Sequence, residues 1–376
     1  MTNLFWRIGS TYVVAILDYQ IYKEAYQHQN IAFRPKQNAL TFVQGKSVLG
    51  IVNTGGERWI QNRRFALRHL RDFGMGKEKL LFDAHYEADN FVSDLKNKVG
   101  KPTSIPPTLL ISILNTAWQM IASTRYEFDD KEIIEFVKLV SETHICGPKL
   151  IILDLFPWLK KILPSYVRDF LFKHKVQKEL SDKIKAYFEK HIYNHMKDVN
   201  EENIRDYIDA YLIEMEKQKS NSNSGMSIED LTFCLSDLFE GSTETTSLSI
   251  HWAILYLSKY PNVQKKLQAE IDEFLPKGVQ FLMKDKTKLP YTEAFIAEIL
   301  RLSSVVSIPP RAAEEDTKIG PYFIPKGSWV LGESFVVHRD PKYWDSPDEL
   351  RPERFLDSNG KFVAPSKGFV PFGYGK

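Results

Sequence analysis

Residues Leu289 to Leu302 read LPYTEAFIAEILRL, and some fifty residues later Pro352 to Phe355 read PERF. The first stretch has a strong helical period, and Glu298 and Arg301 stand at i, i+3, so both side chains share one face. An exposed pair of that kind contributes only tenths of a kcal/mol, on the order of 0.5, and by itself reads as a surface salt bridge. The distant Arg354, set in proline-rich coil, changes the reading. A helix-borne Glu and Arg together with a remote Arg can form a buried charged triad that fixes a coil. The fold turns on this pairing of a long helical region with a proline-punctuated last third, where Pro309, Pro310, Pro321, Pro325, Pro341, Pro347, Pro352, Pro365 and Pro371 forbid long helices.

Upstream, Ser227 to Ser258 reads as one long apolar helix, with Ser227 and Asp230 as a capping box at its start. Its middle, Phe239-Glu240-Gly241-Ser242-Thr243-Glu244-Thr245-Thr246-Ser247, is rich in hydroxyls and acids that compete for backbone hydrogen bonds. This predicts a loosened or kinked helix with a small polar notch. Leu231, Leu235, Leu238 and Phe239 before it, and Leu248, Trp252, Ile254 and Leu255 after it, give the notch apolar flanks. A buried acid beside an alcohol suits proton delivery to a bound ligand; the plainer reading is a polar stretch at a solvated crossing.

Arg58 to Lys77 offers two further patterns. Trp59 and Arg63 are one turn apart and present an indole donor and a guanidinium to an anion such as a carboxylate. Arg64, Arg68 and Arg71 follow at i, i+4, i+7 as a basic stripe, either a solvated helix face or a docking surface for an acidic protein. Pro371-Phe372-Gly373-Tyr374-Gly375-Lys376 ends the sequence on a glycine-punctuated turn and reads as cut within a motif.

The 376 residues are 43% hydrophobic and 26% charged, enough for one large core or two ordinary ones, which excludes disordered and low-complexity classes. Net charge is +2, so no overall field favours nucleic acid. Two cysteines, Cys146 and Cys234, exclude a disulfide framework and a cysteine-rich zinc site. No apolar run reaches the roughly 20 residues of a membrane-spanning helix, and the N-terminus lacks the features of a signal peptide.

Arg7 to Asp18 predicts a hairpin about Gly9, followed by a helix over Tyr19 to His28. Helices are then expected at Arg58–Phe73, Lys77–Lys98, Pro107–Arg125, Lys131–Thr143, Pro164–Met196 and Asn203–Lys217, with Ser220 to Gly225 as a connector. The apolar segment Leu150 to Leu163 reads either as core or as an interfacial membrane contact. No repeat or long linker divides the chain, so one mostly α domain with small β-sheets is expected over residues 1–376.

Taken together, these motifs resemble the cytochrome P-450 family of haem-thiolate monooxygenases. Trp59-x-x-x-Arg63 resembles the family's C-helix motif, Gly241 to Thr246 its oxygen-activating motif, Glu298-x-x-Arg301 its K-helix motif, and Pro352 to Phe355 its PERF motif. Phe372-Gly373-Tyr374-Gly375-Lys376 resembles the start of the haem-binding loop, FxxGxRxCxG. Leu70 to Lys77 and Asp206 to Tyr211 resemble animal microsomal members of the family-two type.

The resemblance implies haem b as cofactor, bound by a cysteine thiolate that helps cleave the O–O bond. That cysteine is expected three residues beyond Lys376; an N-terminal membrane anchor is expected before residue 1, making this chain a fragment with little activity of its own. Thr245 is implied to hold dioxygen and its proton-delivering water, and Glu244 to feed the relay. Trp59, Arg63 and Arg311 are implied as propionate partners, with Phe372 and Gly375 in the haem loop. Substrate contacts fall at Phe33 to Gly55, Leu150 to Phe172, Phe233, Asp237, Gly241, and Val305 to Pro309, including Ile308. Glu298, Arg301 and Arg354 are implied to be structural.

The implied partners are NADPH-cytochrome P-450 reductase and cytochrome b5, a lipophilic small-molecule substrate, and the cytoplasmic face of the endoplasmic reticulum membrane. Gly241-Ser242 departs from the family's Ala-Gly, and Glu240 adds an acid beside the pocket. The competing functions are a catalytically silent protein that binds hydrophobic ligands, and a P-450-like isomerase or dehydratase. The acid–alcohol pair argues against the latter, because such chemistry needs no proton relay.

Overall fold

The computed structural model describes residues 4–35, 48–220, 225–275, 278–308, 310–365 and 367–374. Gly375, Pro309, much of the 33–55 loop and most of the 220–225 connector lie outside them. The chain opens with β1 (Leu4–Ile8) and β2 (Thr11–Ile16), then α1 (Tyr19–Gln27), whose first turn is capped by Asp18 accepting from the N–H groups of Gln20 and Ile21. Helices follow as α2 (Gly56–Phe73), α3 (Glu78–Lys96), α4 (Thr108–Ala122), α5 (Lys131–Cys146), α6 (Ile151–Leu155), α7 (Leu159–Ile162), α8 (Ser165–Phe172), α9 (His174–His195), α10 (Tyr207–Lys217), α11 (Ile228–Lys259), α12 (Pro261–Phe274) and α13 (Pro290–Ser303). The last third holds β3 (Pro310–Ala312), β4 (Thr317–Ile319), β5 (Tyr322–Ile324), β6 (Trp329–Gly332) and the short α14 (Ser334–Val337). The architecture is mostly α with small sheets, as the sequence implies.

One sheet runs β1-β2-β6-β3, and β4 pairs with β5 as a separate hairpin. β2 and β6 are parallel, with Val13 opposite Trp329, so segments far apart in the sequence meet in one sheet. Here Gly332 is obligatory. A Cβ on it would overlap the ring of Tyr22, and its N–H donates to Tyr26 Oη at 2.8 Å.

The largest core forms around the first half of α11. Leu231, Leu235 and Phe239 pack with Trp118 of α4, Phe136 of α5, Phe188 of α9 and Tyr207 and Tyr211 of α10. Phe239 meets Phe136 edge-on at 5.1 Å and Trp118 at 6.0 Å, an arrangement that adds about 0.5–1.5 kcal/mol per pair beyond area burial. Leu248, Trp252, Ile254 and Leu255, expected to flank the notch, are instead exposed.

Several further expectations change. Pro164 to Met196 is two helices, broken at Lys173 with φ +54°. β1 begins at Leu4, ahead of the expected Arg7, because its ladder with β2 runs on to Leu4 opposite Ala15; its exposed apolar side chains show no alternation that would mark it in the sequence. The Asn203–Lys217 helix starts at Tyr207, where Asp206 accepts from the N–H of Asp209 at 3.0 Å and so stops propagation toward Asn203. α11 is unbroken through its polar middle. Ser242, Thr245 and Ser249 donate to the carbonyls of Leu238, Gly241 and Thr245, at 2.7, 2.8 and 2.8 Å, acceptors already engaged in the helix, so no ladder bond is lost. At the start of α11 only half of the capping box forms: Ser227 Oγ accepts from the N–H of Asp230 at 3.0 Å, while the Asp230 carboxylate turns elsewhere. No helix among the described residues is long and apolar enough to cross a membrane.

Candidate active site

α13 carries the motif that anchors the site. Arg301 Nε lies 2.7 Å from Glu298 Oε2 and Nη2 lies 2.9 Å from Oε1, with both side chains fully buried. Arg354 Nε reaches Glu298 Oε1 at 3.2 Å, and the backbone N–H of Arg351 donates to the same oxygen at 2.9 Å. Arg301 Nη1 donates to the carbonyls of His338 and Pro347, both at 2.7 Å, and Arg354 donates to the carbonyls of Asp345 and Ser346. Every charge is thus hydrogen-bonded, the condition under which burying an ion pair is tolerable.

From Arg301 the network continues to the last described segment. Ser304, in the left-handed region with φ +41°, donates to the carbonyl of Arg301 and lies 2.8 Å from His338 Nδ1. His338 Nε2 lies 2.9 Å from the N–H of Val370. A backbone N–H can only donate, so Nε2 accepts and Nδ1 carries the ring proton toward Ser304. Burial, and then the charges of Arg301 and Arg339, hold this imidazole down to about 3.

Val370 leads into Pro371, Phe372 and Gly373, which form one wall of a cavity of about 480 Å³. The facing walls are Gly241, Thr245, Thr246 and Ser249 of α11, and Leu300, Val305 and Val306 at and beyond the end of α13. The cavity brings together the implied residues Gly241, Thr245, Val305 and Phe372. Glu244 follows another face of α11, where its Oε1 lies 2.8 Å from His144 Nδ1 of α5.

Arg63 lies over the Trp59 ring at 5.5 Å and Arg311 over the Tyr26 ring at 5.7 Å. A third guanidinium, Arg34, donates to the carbonyls of Val52 and Pro310 at 2.8 and 3.1 Å. Burial and then the charge of Arg311 lower Arg34 to about 10; burial is also the main cause lowering Arg311, and Arg63 lowers both. Three mutually repelling cations fit a group that carries two carboxylates, as haem does.

Phe233 and Asp237 are drawn to another contact. Asp237 Oδ2 accepts from the N–H groups of Ile51 and Val52 at 2.5 and 2.9 Å, and Phe233 packs beneath Gly50. Asp230 accepts from the Gly50 N–H, Asn62 Nδ2 and Tyr211 Oη. Gly50 has φ +85°, and a Cβ there would strike the Asp237 carboxylate, so only glycine fits this clamp. Desolvation raises Asp237 to about 7 against the pull of its two backbone donors. Ile308 is 42% exposed, beyond the cavity residues.

Sequence reasoning missed Arg34, His144 and His338 as participants. A lone Arg before Pro35, or a His near the end of a helix, carries no periodic signal, and each partner stands far away in the chain. Of the cysteines, Cys234 is buried in the main core, where desolvation raises its thiol well above the usual range.

The sequence model of the family described as cytochrome P450 matches residues 3–376. The chain is 36% identical over 361 residues to cytochrome P450 2L1 of Panulirus argus, covering 95% of this chain and 73% of that protein. It is 34% identical over 380 residues to cytochrome P450 2J2 of Homo sapiens, covering 100% of this chain and 74% of that protein. It is also 34% identical over 374 residues to cytochrome P450 2C25 of Mesocricetus auratus, covering 98% and 74%. Nothing in these comparisons supports a silent ligand-binding protein, an isomerase or a dehydratase. Proteins of this family bind haem, take electrons from redox partners and act on small molecules. On the match over residues 3–376 and the relatives that cover nearly all of it, the chain belongs to the cytochrome P450 family and is a haem-dependent monooxygenase.

Proposed function

We propose that this protein inserts one oxygen atom into a lipophilic small molecule, with electrons from an NADPH-dependent reductase. The observation that carries the reading is the cavity where Gly241 and Thr245 of α11 face Phe372. Haem b is the cofactor, and bound there it supplies the oxygen activation. Arg34, Arg63 and Arg311, with the Trp59 indole, would hold its propionates, and Phe372 and Gly375 belong to the sequence motif of its binding loop. Thr245 positions water at its hydroxyl, and Glu244 supplies the proton. Glu298, Arg301 and Arg354 brace the coil behind that loop, so their part is positional.

The substrate lies against Gly241 and Val305, with Phe233, Asp237 and Ile308 shaping the approach. Asp237 acts there through the 50–52 segment it clamps. Arg64, Arg68 and Arg71 are all exposed on α2 and form the docking stripe for the reductase, with cytochrome b5 as a second donor. The exposed apolar side chains Trp158, Ile162, Tyr166 and Phe170 of the α7–α8 region, at 51, 68, 73 and 76%, suit contact with the endoplasmic reticulum membrane. Residues 1–376 act as one domain.

The test is a reduced carbon-monoxide difference spectrum of the full-length protein, followed by turnover of lipophilic substrates with reductase and NADPH. A thiolate-type Soret band and an oxygenated product are expected. A folded, haem-loaded protein with neither overturns the reading.

A further inference from the structure

His144 stands two residues before the end of α5 and presents Nδ1 to Glu244 Oε1 at 2.8 Å. The two side chains are 39% and 38% exposed, so the imidazole touches solvent as well as the acid. Glu244 immediately precedes Thr245, whose side chain lines the cavity. Adjacent helix residues point about 100° apart, so the acid can face α5 while the alcohol faces the cavity.

The charges acting on His144 are those of Glu244 and Glu240, both from α11. The hydrogen bond that His144 donates to Glu244 is the largest cause raising its pKa, ahead of the opposing desolvation. Glu240 lies one turn before Glu244; burial raises its carboxyl, while the charge of His144 draws it back down. An imidazole raised from its ordinary value holds its proton over a wider pH range than a free one. The arrangement therefore has a proton source at the solvent end and an acceptor one residue before the cavity-lining Thr245.

We propose that His144 is a proton-relay residue of the monooxygenase reaction, passing protons from solvent to Glu244. The proposal rests on the reading of Glu244 and Thr245 as the acid–alcohol pair. In the transfer, the Nδ1–H bond of the imidazolium breaks and an O–H bond forms on Glu244 Oε1. The neutral imidazole recovers its proton from water or buffer, and no electrons move. The competing role is a static ion pair that ties α5 to α11.

Two measurements decide between them. NMR titration of the His144 ring in the full-length haem-loaded protein, in its reduced carbon-monoxide form, wild type against Glu244→Gln, is expected to show a downward shift; an unchanged titration overturns the coupling. In the full-length haem-loaded enzyme, His144→Gln keeps a side chain able to bridge to Glu244 but unable to carry a proton, and His144→Ala removes both capacities. Both variants are expected to lower product formed per NADPH consumed, by about tenfold, and to enlarge the solvent deuterium isotope effect. If His144→Gln matches wild type in both, the residue is a bridge and the relay is overturned. If wild type itself forms no oxygenated product, the acid–alcohol reading fails and takes the relay with it, whatever the titration shows.

Discussion

His338 Nε2 accepts the backbone N–H of Val370 at 2.9 Å, so an imidazole just past α14 holds the strand of coil that leads into the cavity wall. Because that acceptor exists only in the neutral ring, the contact is sensitive to acid. The folded-state pKa, about 3, lies below the ordinary 6.5, so between these values the unfolded chain binds the proton more readily. Stability from this group is complete above pH 6.5 and is lost as pH falls through about 3, with a slope of up to about 1.4 kcal/mol per pH unit. Denaturant midpoints measured across that range are expected to fall less steeply in His338→Gln than in wild type.

The Glu298–Arg301 pair sets a larger energy scale. Arg301→Leu leaves a fully buried carboxylate facing only Arg354 and the Arg351 N–H, and is expected to cost about 3–5 kcal/mol. Arg354→Leu removes a longer contact to Glu298, at 3.2 Å, with the donors to the carbonyls of Asp345 and Ser346, and is expected to cost about 1–3 kcal/mol. Equilibrium urea unfolding measures both, and the order of the two effects is the prediction.

Asp237 has the opposite pH dependence. Its folded pKa is raised from 3.8 to about 7, so its contribution is present below pH 3.8 and is lost as pH rises through about 7. Asp237→Asn keeps an oxygen for the Ile51 and Val52 N–H groups without the charge, and is expected to flatten that decline. Asp237→Ala leaves the two donors without their acceptor, costing about 1–3 kcal/mol. Hydrogen exchange is expected to show faster amide loss at Ile51 and Val52 in the alanine variant alone.

Arg34, Arg63 and Arg311 repel one another, and an anion relieves that repulsion. Single substitution to Leu is expected to weaken haem retention by roughly 10- to 100-fold, the range of a lost charge-assisted hydrogen bond of about 1.5–3 kcal/mol. Haem transfer to apomyoglobin reads this directly. Arg34→Leu tests whether the third cation belongs with the other two.

Much of this arrangement is legible in the sequence because it rests on period and order. Glu298 and Arg301 announce a shared helix face, and the prolines after residue 301 announce coil. The break at Lys173 is hidden, because neither glycine nor proline marks it and the apolar spacing runs on across it. The clamp on Gly50 is hidden for another reason: Asp230 reads as a capping residue and Asp237 as an implied substrate contact, and nothing local shows that a loop some 180 residues away supplies their donors. Distances along the chain of that size carry no local pattern, and the same is true of His144 and Glu244.

The parallel pairing of Val13 with Trp329 has a consequence in time. The partners are 329 − 13 = 316 residues apart, and a ribosome adding about 5–20 residues per second needs roughly 15–60 s to make the intervening chain. Through that interval β2, with Val13 to Ile16 destined for burial, has an unpaired edge outside the ribosome. Synthesis in the cell therefore leaves β2 waiting for β6, and β2 is a segment in need of a chaperone while it waits.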